Sequence, residues 1–196
     1  VKYFNRYNKL KRTFEADSKL IEETSADIKH LESVATALDI ATAEEDLVEL
    51  KEELIEAGYI HRKAKNGKKT KITSKPFHYV SSDGFDMYVG KNNFQNDELT
   101  FHFANGNDWW FHAKKMPGSH VIVRTNGKEL PDRTFEEAAS LAAYYSKGRD
   151  QDKVEIDYVL KKEVKKPAAA KPGFVVYYTN YSMMASTNIN NIQLIK

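Results

Sequence analysis

The stretch Asp108-Trp109-Trp110-Phe111-His112, followed closely by Pro117-Gly118-Ser119-His120-Val121, is the densest run of chemically able side chains in the chain. A Pro-Gly turn between two strands would bring His112 and His120 together, which is half of a metal site. No cysteine occurs anywhere, so no thiolate can complete it. The better reading is a structural motif of Asp108, His112, Pro117, Gly118, Ser119 and His120 that binds no metal. Adjacent strand residues point to opposite faces, so at least one of Trp109 and Trp110 is a candidate for exposure and stacking on a base or nucleotide, with the other expected in the core.

The other candidates are cationic. Lys161, Lys162, Lys165, Lys166 and Lys171 leave the end of a strand in a loop broken by Pro167 and Pro172. They form either a solvated edge that blocks aggregation or a phosphate-binding edge. Gly90-Lys91-Asn92-Asn93 and Gln95-Asn96-Asp97 lie between a strand and a helix start. There Asn92 and Asn93 either cap the helix or grip a ligand, and Lys91 beside a helix N-terminus favours phosphate. Nothing resembles a nucleophile elbow, a P-loop, a dinucleotide fingerprint or a paired-carboxylate site, so the chain reads as a binding module, with no cofactor and no enzymatic role.

The whole composition supports binding over catalysis. Among the 196 residues, 41% are hydrophobic and 30% charged, which excludes a disordered chain, and no run approaches the ~20 apolar residues of a membrane span. A cysteine-free soluble chain is compatible with a reducing, cytoplasmic location. The net charge of +2 conceals a division. Residues 1–60 carry 8 basic and 14 acidic side chains, residues 61–75 carry 7 basic and none acidic, and residues 76–196 are nearly balanced. Three parts are therefore expected, with 61–75 a basic linker whose Lys63, Lys65, Lys68, Lys69, Lys71 and Lys75 either contact phosphate or face water.

The elements that must position these groups follow from periodicity. Tyr7, Phe14, Ile21, Ile28 and Ala35, with Tyr3, Leu10, Leu31 and Leu38, form the two seams of a heptad and predict a coiled-coil helix that needs a partner, hence self-association. Val1 opens inside that helix, which reads as a fragment of a longer chain. Thr42 to Glu45 is a capping box and Gly58 a C′ residue, predicting a short helix over about 43–57. After Pro76 the pattern predicts strands at Phe77–Ser81, Phe85–Val89, Trp109–Ala113, His120–Arg124, Val154–Leu160 and Phe174–Thr179. Helices are expected near Asn96–Ala104 and from a second capping box at Thr134. The class is α+β with a largely antiparallel sheet.

The motifs from Gly90 to Asp97, from Asp108 to Val121, and from Asp157-Tyr158 through Lys165-Lys166-Pro167 to Lys171-Pro172-Gly173, in that order, resemble the NFACT family of ribosome quality-control factors, also described as fibronectin-binding proteins. Residues 76–196 are similar to the family's NFACT-R domain, and Tyr3 to Ile60 to one arm of the coiled coil before it. The resemblance implies binding to obstructed large ribosomal subunits with peptidyl-tRNA, and recruitment of alanyl-tRNA for alanine tailing. Ribosomal RNA and tRNA are the implied partners, and fibronectin adhesion at the cell surface is the alternative. The family pattern has glycine where Ala169 stands, which puts the path of that loop in question.

Overall fold

A computed structural model describes residues 2–62 and 73–195, so the linker lysines Lys63, Lys65, Lys68, Lys69 and Lys71 lie outside the described residues; Lys75 is exposed. The chain divides into two units, 1–32 and 33–196. The division falls well before the expected boundary at residue 60.

The first unit is the N-terminal part of one helix, α1 (Lys2–Ile40). Its heptad residues face solvent, with Phe14 73% and Ile21 68% exposed. The ion pairs Lys11–Glu15 at 4.0 Å and Lys19–Glu23 at 3.7 Å brace its surface one turn apart, each contributing only a few tenths of a kcal/mol.

In the second unit the helix end buries Val34, Ala37 and Ile40, while the heptad positions Ala35 and Leu38 stay exposed. Val34 and Ala37 pack with Leu50 of the second helix, α2 (Glu44–Glu56). The capping box is displaced by one residue from the expected one. Asp46, not Glu45, accepts the backbone N–H groups of Thr42 at 3.0 Å and Ala43 at 3.1 Å. Gly58, at φ 81°, is the left-handed residue that ends α2.

The sheet has seven strands: β1 (Phe77–Val80), β2 (Asp86–Val89), β3 (Trp109–Ala113), β4 (Val121–Val123), β5 (Lys153–Leu160), β6 (Tyr181–Ser186) and β7 (Gln193–Leu194). They lie in the order β6-β5-β3-β4-β2-β1-β7, and every pairing is antiparallel, so the α+β class holds. One face packs on α4 (Asp132–Tyr144), where Phe111, Ala113, Met87, Val121 and Val123 meet Ala138, Leu141 and Ala142. The opposite face carries Trp110, Ile122 and Val159 under Leu99, Ala104 and Val164.

Three local expectations need correction. The helix expected near Asn96–Ala104 begins earlier, as α3 (Asn93–Glu98) capped by Asn92, and continues into a π-helical turn, Leu99–Phe103. Thr134 does not cap α4, which starts two residues earlier. Its hydroxyl lies 2.8 Å from the Asp83 carboxylate, and Glu137 accepts from the Ser82 amide at 2.8 Å, so both residues hold the β1–β2 turn instead. Residues 174–179 form no sheet strand. The last long strand is β6, whose Ser and Met residues carry little β signal, and 174–179 keep only an isolated pairing of Val176 with Lys165.

Candidate nucleic-acid interface

The Gly90–Asn96 segment faces inward, onto the acidic face of α2. The Lys91 ammonium lies 3.1 Å and 3.3 Å from the two Asp46 carboxylate oxygens and 4.5 Å from the centre of the Phe77 ring. Asn92 and Gln95 each donate to Glu49 at 2.7 Å, Asn93 donates to Glu53 at 2.6 Å, and Ser74 donates to Asp46 at 2.6 Å. Asn92 and Asn93 are buried. This corrects the expectation that Lys91, Asn92 and Asn93 meet phosphate: carboxylates already hold all three, and an RNA backbone has no approach to the buried pair.

Burial by itself would raise the pKa of Asp46, but the hydrogen bonds from Ser74 and the Thr42 amide and the charge of Lys91 outweigh it and hold the group below the usual carboxylate range. Glu49 receives only neutral donors, from Asn92, Gln95 and Ser74, and burial, with the neighbouring Asp46 charge, raises its pKa. Gly90 is required by close approach: a Cβ there would sit 2.2 Å from Asn96 Oδ1. That same oxygen accepts the His120 amide at 2.9 Å, which ties α3 to the Pro-Gly turn.

Around Trp110 the other motif closes into a buried cluster. His112 and His120 lie edge to face 5.4 Å apart, and the Trp110 ring stacks on His112 at 5.5 Å and meets Tyr177 at 5.1 Å. Thr100 Oγ1 is 2.8 Å from His120 Nδ1. Burial lowers the pKa of His112 to about 4, and burial together with the neighbouring His112 holds that of His120 well below the usual histidine range, so both rings are neutral at pH 7. No group of three or more His, Asp or Glu side chains is placed to hold a metal ion among the described residues.

Pro117 to His120 packs against the end of α4, with the Ser119 amide donating to the Tyr145 carbonyl at 2.8 Å and Gly118 crossing Ser146 so closely that a Cβ would be 3.0 Å from its Cβ. Asp108 accepts the Thr125 amide at 2.9 Å and pairs with Arg124 at 3.0 Å. The stacking expectation for the tryptophans also changes. Trp110 is fully buried, and Trp109 is half-buried with Phe135 at 4.9 Å, Tyr158 at 5.8 Å and Tyr181 at 6.4 Å.

The lysines after β5 divide by partner. Lys166 pairs with Asp97, and Lys171 donates to the Tyr59 hydroxyl at 3.0 Å. Lys161 is half-buried, its ammonium 5.8 Å from the Phe101 ring centre. Lys162 and Lys165 are exposed and make no ion pair among the described residues. Two residues that sequence reasoning passed over accompany them: Phe174, 51% exposed, and Tyr178, 85% exposed. The continuous apolar and aromatic run Phe174-Val175-Val176-Tyr177-Tyr178 was the available signal, but it does not say which side chains meet water. Ala169 takes φ 59°, so the loop keeps a glycine-like turn at an expense of about 1–2 kcal/mol.

The surface so defined is a lysine and aromatic ribbon within the residues that match a known family. The model described as the NFACT protein RNA binding domain matches residues 75–179, and that of the NFACT N-terminal and middle domains matches residues 1–73. A Streptococcus pneumoniae protein named Rqc2 homolog RqcH is 42% identical over 100% of this chain and 35% of its own length. The Bacillus subtilis protein of the same name is 35% identical over 99% of this chain and 34% of its own. A solved structure, the C-terminal of the fibronectin/fibrinogen-binding protein from Streptococcus suis, superposes with a TM-score of 0.86 at 44% identity, covering 94% of this chain and 73% of that one. The chain thus spans about a third of the length of these curated relatives.

Proposed function

Because this chain belongs to the NFACT family, we propose that it is the RNA-contacting module of a ribosome quality-control factor, acting by binding and not by catalysis. Its targets are obstructed large ribosomal subunits that still carry peptidyl-tRNA. Within the longer protein the module supports recruitment of alanyl-tRNA for alanine tailing in the cytoplasm, a role drawn from the family and not from the geometry. The observation that carries the reading is the exposure of Lys162 and Lys165, which make no ion pair among the described residues, beside lysines that are paired. Counterion release from phosphates rewards such free ammonium groups.

The test is retention on purified large subunits across a salt series. If both lysines touch phosphate, Lys162→Ala with Lys165→Ala should flatten the log–log salt slope by roughly 1.4–1.8, about 0.7–0.9 for each contact. Salt-insensitive binding to fibronectin with no retention on subunits would replace this reading with adhesion.

A further inference from the structure

Given that RNA reading, we propose that the ribbon formed by residues 164–178 binds single-stranded RNA, with Phe174 and Tyr178 stacking on unpaired bases and Lys165 set between them against the backbone. Lys165 and Val176 exchange both backbone hydrogen bonds at 2.9 Å, a closed antiparallel pair. Residues directly opposite in such a pair point to the same face, and so do residues two apart along a strand. Val175 and Tyr177 pack inward on the Trp110 cluster together with Val164. Phe174 and Tyr178, 51% and 85% exposed, and the exposed Lys165 lie outside that packing.

Lys166, next to Lys165, pairs instead with Asp97 of α3. Lys165 lies opposite Val176, which is two residues from Phe174 and two from Tyr178 in the chain. Neither ring stacks on another ring or a cation among the described residues.

From Pro172 to Ile195 the chain has no charged residue, although 30% of the whole chain is charged. Of the carboxylates next to the ribbon's lysines, Asp97 is held by Lys166, which leaves Glu163 against Lys161, Lys162 and Lys165. Flat apolar rings flanking a cation match the alternation of bases and phosphates in an unpaired strand. They offer a duplex, whose base faces are already stacked, nothing beyond the charge.

The test is fluorescence anisotropy of this chain with labelled oligouridine and with an RNA duplex of equal length, over a salt series. Oligouridine should bind more tightly. Tyr178→Ala and Phe174→Ala should each weaken it roughly 5- to 150-fold while leaving the salt slope and duplex binding unchanged, and Tyr178→Phe should bind as the parent does. Lys165→Ala should lower the slope by about 0.7. Unchanged melting temperatures are expected because both rings are exposed, and they separate lost stacking from lost folding. Wild-type affinity in both alanine variants overturns the proposal. If Lys162→Ala and Lys165→Ala still flatten the salt slope in that case, the broader RNA reading stands without it. No binding of either RNA by the parent chain overturns both.

Discussion

Lys91→Met separates the two roles that a lysine beside Asn92 and Asn93 can have. Its ammonium is 3.1 Å from Asp46, and the two side chains are only 12% and 2% exposed. Removing one member of a buried pair typically costs ~3–5 kcal/mol, because it leaves an uncompensated charge. Asp46 would retain the Ser74 hydroxyl and the Thr42 and Ala43 amides, which places the expectation at the lower end, about 3 kcal/mol. For a chain of this size that is a fall of roughly 6–12 °C in melting temperature. Adding Asp46→Asn removes the orphaned charge, so the double variant should be less destabilised than the sum of the singles, with a coupling large enough to read by calorimetry. The salt slope of RNA binding should not move. A phosphate-bound Lys91 behaves in the opposite way: the melting temperature stays within about 1–2 °C, and the slope falls by ~0.7–0.9. That outcome would refute the assignment of Lys91 to α2.

Two further expectations concern acid stability and association. His112 is neutral in the fold, with a pKa depressed to about 4 from 6.5, so its contribution is fully present above about 6.5 and is lost as pH falls towards 4. Glu49 has the opposite sign: its raised pKa means that stability declines as pH rises from 4.5 through the folded value, and Glu49→Gln should abolish that decline in melting temperatures recorded across the range. The exposed seam through Phe14, Ile21 and Ile28 should drive self-association, visible by sedimentation, with Ile21→Asp shifting the chain to monomer; a strictly monomeric parent chain would show that the seam is not adhesive.

What the sequence revealed and what it hid follow from the range of each interaction. The antiparallel sheet was legible because the β-rich composition of Phe77–Val80, Trp109–Ala113 and Lys153–Leu160 is written locally, and the Pro-Gly turn was enough to bring His112 towards His120. Caps were read one or two residues off because neighbouring carboxylates compete. Thr42 to Asp46 offers several acids to one helix start, and Glu137 is drawn away by Ser82, 55 residues earlier in sequence. The roles of the lysines were not legible at all. Composition counts charges, whereas Asp46 meets Lys91 across 45 residues and Asp97 meets Lys166 across 69. The tryptophans misled for a related reason: alternation put Trp109 and Trp110 on opposite faces, but α4 covers one face, and the Leu99–Ala104 segment with Val164, Val175 and Tyr177 covers the other.

The family models meet between residues 73 and 75, yet the compact unit begins at Ser33. The two divisions differ because of α2. Seen from the sheet, the polar motif from Lys91 to Gln95 makes sense only with Asp46, Glu49 and Glu53 in place, since it supplies an ammonium and three amides that would otherwise be left without partners near the Phe77 edge of the core. From the helix side, those buried acids are tolerable only against these donors. Asn93 then extends the dependence to the ribbon, because Gly173 passes so close to it that a Cβ would be 2.2 Å from its Oδ1. The lysine and aromatic face is therefore held at its base through Asn93 by side chains from the preceding family segment, and the compact unit that carries Lys165, Phe174 and Tyr178 starts at the end of α1, some forty residues before the segment that matches the RNA-binding domain.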